Sequence, residues 1–113
     1  MKKLIFFFFF FSFLSSFSYA HPPADIIVTY DSQSKILKAE IVHNVSNPKT
    51  HYITKVDISL NGKEIIEHKI SYQDNNIKQI VSYLIPDAKK NDILEVEAYC
   101  NISGKLSKKI KVE

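Results

Sequence analysis

The chain is poor in cysteine, glycine and tryptophan: it has one Cys, two Gly and no Trp among 113 residues. A single cysteine cannot form an internal disulfide, so a disulfide-stapled fold is excluded. Two isolated glycines, Gly62 and Gly104, cannot supply a glycine-rich phosphate-binding loop. The sequence also lacks G-x-S-x-G and H-E-x-x-H motifs, the patterns of many serine hydrolases and zinc proteases. These absences argue against a hydrolytic enzyme.

The first 20 residues differ in composition from the rest of the chain. Lys2 and Lys3 precede a nearly unbroken apolar run, and Ser18 and Ala20 occupy the −3 and −1 positions of a cleavage site. This pattern predicts a secretory signal peptide, residues 1–20, that is cleaved after Ala20. It therefore predicts a periplasmic or secreted protein.

Residues 21–113 are predicted to form one domain, because a segment of this length builds a single hydrophobic core. No apolar run in this range approaches the ~18 residues that span a bilayer, so we expect no membrane attachment after signal cleavage. The net charge of the whole chain is only +3, and two of its lysines lie in the signal segment. This small charge gives no basis for a nucleic-acid partner.

The pattern of residues 21–113 indicates β-structure throughout. Apolar and polar residues alternate with a period of two in short segments bounded by turn-forming residues. Asn61-Gly62 between two such segments is a strong hairpin signal. Seven short strands without any helical period predict an all-β, immunoglobulin-like, seven-stranded antiparallel sandwich. The predicted strands are 25–30, 35–43, 52–60, 63–72, 77–85, 93–101 and 106–112.

Four histidines and one cysteine remain as residues that hold late first-row metals. His43 ends the second predicted strand and His51 leads into the third, so one loop can bring both rings to the same end of the sandwich. On the sixth predicted strand, Cys100 is one of the alternate residues whose side chains point inward. His68 lies in the middle of the fourth strand, where we expect a half-buried structural residue. Taken alone, two histidines at a loop rim are more often ordinary polar residues than ligands.

Four segments together resemble the iron-binding domain of the superoxide reductases, desulfoferrodoxin and neelaredoxin. The segments are V-H-N (42–44), H-Y-I-T-K-V (51–56), L-N-G-K (60–63) and A-Y-C-N-I-S-G (98–104). They are similar in order and spacing to the H-P-M, H-Y-I and C-N-x-H-G motifs of that family, over residues 40–110. The resemblance implies an immunoglobulin-like sandwich that holds one non-haem iron on histidines and a cysteine thiolate. If iron binds, it also implies an oxidoreductase that reduces superoxide by one electron.

Carried onto this chain, the resemblance implies a metal site of Cys100, His51, His43 and His21. Ser103 stands where the family has its last histidine, so the ligand set is reduced. Such a set can hold iron, but also copper or zinc, which would make the protein a metal carrier.

His21 has a second interpretation. If cleavage follows Ala20, His21 becomes the first residue and offers an α-amine as well as a ring nitrogen to one metal, as in copper proteins with a histidine brace. Pro22 has no amide N–H, which excludes a copper site built on the next backbone nitrogen. A terminus that merely happens to start with histidine is the commoner case.

The same stretch also resembles the Z subunit of the thiosulfate-oxidising Sox carrier complex. That resemblance rests on the H-Y-I segment and the N-G-K hairpin, and it implies a non-catalytic periplasmic module that binds a protein partner and no metal. Cys100 would then be a small core residue, as buried free cysteines often are.

Overall fold

The computed structural model describes residues 21–113, which form two antiparallel β-sheets packed face to face. The all-β prediction is confirmed, and each predicted strand has its counterpart. Among residues 21–113, no helix is long and apolar enough to cross a membrane. The predicted signal peptide, residues 1–20, lies outside the described residues. The strands are β1 (Asp25–Asp31), β2 (Ile36–Val42), β3 (Ile53–Leu60), β4 (Lys63–Lys69), β5 (Lys78–Leu84), β6 (Ile93–Cys100) and β7 (Lys105–Lys111).

One sheet has three strands in the order β1-β2-β5, and the other has four in the order β4-β3-β6-β7. All neighbouring strands are antiparallel. Asn61 and Gly62 connect β3 to β4 with φ angles of 50° and 86°. Two successive positive φ angles are what a two-residue hairpin turn of the I′ type requires, which confirms the hairpin predicted from Asn-Gly.

The core lies between the sheets and follows the period of two. In β2 the buried residues are Leu37, Ala39 and Ile41, and in β6 they are Leu94, Val96 and Ala98, all fully buried. Fully burying one of these Leu, Ile or Val side chains stabilises the fold by roughly 1.5–3 kcal/mol. Cys100 continues the inward row of β6 and is 8% exposed, so its predicted inward direction is confirmed.

Four connecting segments meet at one end of the sandwich, which we call the loop end. They are residues 21–24, 43–52, 70–77 and 101–104. Backbone hydrogen bonds join them: His43 N–H donates to the Ile77 carbonyl (2.8 Å), and Gln73 N–H donates to the Pro48 carbonyl (3.0 Å). Antiparallel strand order thus brings together segments that are far apart in the sequence.

His68 is exposed, so the expectation that it is half-buried is wrong. It sits on β4, an edge strand of the four-stranded sheet, where only one neighbouring strand covers it. Its Nδ1 lies 2.7 Å from the Tyr83 hydroxyl of β5. His68 therefore ties the two sheets together along one side.

Candidate metal centre

Three histidine rings meet at the loop end. The ring centroids of His21 and His43 are 5.0 Å apart, those of His21 and His51 are 5.0 Å apart, and those of His43 and His51 are 4.8 Å apart. One ring nitrogen from each histidine lies within 4.8 Å of those of the other two. Two nitrogens on one tetrahedral ion, each bonded at 2.0–2.1 Å, are about 3.4 Å apart. A metal ion therefore fits between these rings, which we call the histidine triad, after small rotations of the side chains.

Each ring reaches the triad from the end of a different strand. His43 follows β2 and keeps the inward phase of that strand, so it is fully buried. His51 comes two residues before β3, and His21 comes four residues before β1. The two rings that one loop was predicted to bring together do meet, and His21 joins them from the N-terminal segment.

Gln73 determines which nitrogen of His43 carries the proton. The Gln73 Nε2 group donates to the carbonyls of His43 (2.8 Å) and Asn75 (2.9 Å). Its Oε1 accepts from the Ile53 N–H (3.1 Å) and faces His43 Nδ1 at 2.8 Å. Because Oε1 can only accept, Nδ1 of His43 must be the protonated nitrogen.

The lone pair of His43 is consequently on Nε2, which points into the triad. The carbonyl oxygen of His21 lies 3.3 Å from that nitrogen. Both atoms are acceptors when the ring is neutral, so this contact is not a hydrogen bond. A ring N–H held by a buried amide, with the other nitrogen left open, is the usual arrangement of a metal-binding histidine.

His51 presents a second open nitrogen. Its Nε2 is buried, and no hydrogen-bond partner for it exists among residues 21–113. Buried polar atoms are nearly always paired, so an orphan ring nitrogen between two other imidazoles needs an explanation. Burial lowers the pKa of His51, and the neighbouring His43 and His21 lower it further. The ring is thereby kept neutral, which is the form that binds metals.

Asn101 fixes the backbone on both sides of His51. Its Oδ1 accepts from the Tyr52 N–H (2.8 Å), and its Nδ2 donates to the Thr50 carbonyl (3.1 Å). Its own N–H donates to the Tyr52 carbonyl (2.9 Å). These three bonds connect the β6–β7 turn to the segment that carries His51.

The N-terminal segment is held by the same turn. A Cβ atom added at Gly104 would lie 2.8 Å from the Pro22 Cβ, so Pro22 packs directly on the glycine backbone. Pro23 is buried, and the Ala24 N–H donates to the Val42 carbonyl (2.8 Å). His21 is therefore attached to an anchored segment.

We expect Gly104→Ala to weaken metal binding as well as stability. The added methyl group would push Pro22, and with it His21, away from the turn, and the φ of +83° adds strain to any residue with a Cβ. Gly62→Ala is the matched control, since its φ is +86° and nothing lies within 4 Å of the added atom. Chemical denaturation should show a loss of about 1–2 kcal/mol for Gly62→Ala, from the positive φ alone, and a larger loss for Gly104→Ala. Metal titration should show weaker binding only for Gly104→Ala, and equal affinities would mean that Pro22 does not hold His21 in place.

Cys100 lies at the same end of the sandwich as the triad but is not part of it. Cys100 pairs with Ile53 at the start of β3, and Ile53 is two positions after His51 in the sequence. Its Sγ accepts a hydrogen bond from the Ile102 N–H at 3.4 Å, and it is not among the donor atoms that lie within 4.8 Å of one another. Of the four predicted ligands, the structure brings three together, and metal binding by Cys100 stays a prediction.

A second group of potential ligands lies on the outer face of the four-stranded sheet. Asp57, Glu64 and Glu67 have carboxylate oxygens within 4.8 Å of one another. Lys55 Nζ already lies 3.5 Å from Asp57 and 4.0 Å from Glu67. One ammonium group thus compensates part of the charge of these three carboxylates, while Oδ1 of Asp57 is buried without a hydrogen-bond partner.

Two residues with a clear role at the site were missed by the sequence analysis. Gln73 was assigned to a loop, and nothing in its sequence context marks it as a partner of His43. Asn101 belongs to the C-N segment of the resemblance, and this was the only signal that could have drawn attention to it. Both act through hydrogen bonds between segments distant in sequence.

The lowered pKa of His51 predicts how the stability of the metal-free protein depends on pH. As pH falls below the ordinary histidine pKa of about 6.5, His51 takes up a proton in the unfolded chain before it does so in the folded one. The free energy of unfolding should therefore decrease as pH falls through this range. Urea denaturation at several pH values would measure this slope, and His51→Ala should reduce it. An unchanged slope in the variant would mean that other groups cause the pH dependence.

The chain matches no known protein family, and no curated protein matches it either.

Proposed function

We propose that residues 21–113 form a metal-binding module that holds one late first-row divalent ion on His21, His43 and His51. The observation that carries this proposal is the pair of open nitrogens: Nε2 of His43, left unprotonated by Gln73, and the buried, unpartnered Nε2 of His51. An interaction module without metal offers no reason to bury an unpaired ring nitrogen beside two other imidazoles.

The donor set favours copper or zinc. Three neutral imidazoles suit both metals, and copper binds most tightly in the divalent series. Three protein ligands leave a fourth position open for water or for a ligand from another molecule. Together with the export predicted from residues 1–20, a site of three imidazoles supports a periplasmic or secreted metal carrier.

Iron with superoxide reductase activity is the second candidate. It is favoured by the position of Cys100, which is buried at the same end of the sandwich, and by the resemblance of its flanking sequence to that family. It requires the Cys100 thiolate to join the triad as a further ligand.

The direct test is the metal content of the exported protein. The chain would be expressed with its own leader, purified without chelators, and analysed for metal per chain by mass spectrometry, followed by titration with Zn²⁺, Cu²⁺ and Fe²⁺. We expect about one ion per chain, as the single triad requires. A chain that stays metal-free throughout the titration would contradict the proposal and favour the interaction module.

Cys100→Ala separates the two metal-based candidates. If the triad alone holds copper or zinc, the variant should keep its metal and lose about 1 kcal/mol of stability for a small cavity. If Cys100 ligates iron, the variant should lose the thiolate-to-iron absorption band and the consumption of superoxide. Absorption spectra of the iron-loaded wild type and variant, together with their denaturation curves, decide between these outcomes.

A further inference from the structure

His21 differs from the other two histidines of the triad because its backbone also lies at the site. Its carbonyl oxygen is 3.3 Å from Nε2 of His43, the nitrogen that is open for a metal. The backbone nitrogen of the same residue is three bonds from that oxygen, which places it within about 3.6 Å of it. The His21 backbone nitrogen therefore lies no more than about 7 Å from Nε2 of His43, and closing a chelate with the His21 ring would bring it onto the same ion.

We propose that cleavage between Ala20 and His21 completes the metal centre by turning this backbone nitrogen into a fourth ligand. The inference rests on the proposed function of the triad. A signal peptidase would hydrolyse the Ala20–His21 peptide bond, so that water supplies a hydroxyl group to the Ala20 carbonyl and a hydrogen to the His21 nitrogen. The product is a free α-amine, which binds the ion after it loses its extra proton.

The chemistry of the nitrogen explains why cleavage matters. In the uncut chain it is an amide, whose lone pair is delocalised into the carbonyl group and does not bind metals at neutral pH. As an amine it can close a six-membered ring with Nδ1 of the same histidine on one ion. In the tautomer that donates Nε2–H to the Asn44 carbonyl (3.1 Å), Nδ1 carries the lone pair, and the ring must turn Nδ1 away from the Pro22 carbonyl oxygen, 3.0 Å away, to bind the ion.

The neighbouring residues fix the position of the new amine. Pro22 packs on Gly104 and Pro23 is buried, so the segment is anchored immediately after His21. Pro22 has no amide N–H, so its nitrogen cannot compete as a ligand. The consequence is a site that is weak in the precursor and strong in the processed protein, so that metal loading follows export.

The test compares two exported proteins that differ only in their first residues. One is the wild type, and the other carries Gly-Ser-Gly-Ser inserted between Ala20 and His21, with the cleavage position of each verified by intact mass. The insertion has four residues because a histidine at position two or three of a chain would create a new copper chelate with backbone nitrogens. We expect the insertion to weaken Zn²⁺ binding at least about tenfold, which corresponds to about 1.4 kcal/mol. Electron–nuclear double resonance of the Cu²⁺-loaded proteins should show one coordinated nitrogen fewer in the insertion variant.

His21→Ala, with and without the insertion, is the control. Without the His21 ring the chelate cannot close, so the insertion should have a much smaller effect in this background. Equal Zn²⁺ affinity and equal nitrogen counts for the wild type and the insertion variant would overturn the amine ligand while leaving the triad intact. Cleavage at another position would overturn it as well. Failure of both proteins to bind metal would overturn the triad and this inference together.

Discussion

His51→Ala should abolish stoichiometric metal binding while leaving a folded protein. His51 supplies an unpartnered ring nitrogen, and its removal leaves only two of the three imidazoles that hold the ion. The loss of affinity should exceed the 10–100-fold that removal of an outer partner of a ligand typically costs. Competition titration with a chromophoric zinc chelator measures the affinity, and circular dichroism checks the fold. His43→Ala should lose metal as well, with a larger loss of stability because His43 is fully buried.

His68→Ala is the matched control for these two variants. It removes an imidazole from the same domain, but His68 lies on β4 and bonds to Tyr83 rather than to the triad. Its metal affinity should equal that of the wild type. If His68→Ala weakened metal binding as much as His51→Ala, the ion would not be held at the loop end. If His51→Ala kept its affinity, the triad would not be the site.

The fold could be predicted because each strand carries its own local signal. In β6 the alternation of Leu94, Val96 and Ala98 with acidic and aromatic residues fixes which face is buried, and the structure has the same residues in the core. The Asn61-Gly62 turn is a local signal of the same kind. The predicted fourth strand extends to Tyr72, but β4 ends at Lys69. The chain turns after Lys69, and Gln73 then bonds to the loop that follows β2.

The site could be predicted only in part. The strand phase of His43 and the shared loop were enough to expect His43 and His51 at one end of the sandwich. The spacing of the residues did not predict His21 as a ligand. That prediction came from the resemblance to the superoxide reductases and from the predicted cleavage after Ala20. The role of Gln73 could not be predicted from the sequence, because it depends on four contacts between segments that only the folded chain brings together.

The positions of these residues also explain how the site is held. His43 is set by the end of β2, His51 by the turn that follows β6, and His21 by the proline segment that packs on Gly104. Two supports, the end of β2 and the β6–β7 turn, therefore converge on one cluster, which keeps the rings close before any ion binds. Ligands arranged in advance lose little conformational freedom on binding, and this raises the affinity for the ion.

Gln73→Leu should both destabilise the protein and weaken its metal site. Gln73 is 1% exposed, and its amide group satisfies four neighbours, so the substitution leaves buried groups without partners. Each buried unsatisfied group costs about 1–3 kcal/mol, and with partial relaxation we expect a loss of about 3 kcal/mol in urea denaturation of the metal-free protein. His43 would also be free to change its tautomer, so metal affinity should fall about 10–100-fold, as for other outer partners of ligands.

Gln73→Glu separates the effect on the fold from the effect on the ligand. A carboxylate keeps the acceptor that faces His43 Nδ1 and the Ile53 N–H, but it loses both bonds donated to the carbonyls of His43 and Asn75. Stability should therefore fall as it does in Gln73→Leu. Metal affinity should stay near that of the wild type, because the Nδ1 proton of His43 keeps its acceptor and Nε2 keeps its lone pair. If both variants lost metal equally, Gln73 would support the loop end without orienting His43, and the tautomer argument would fail.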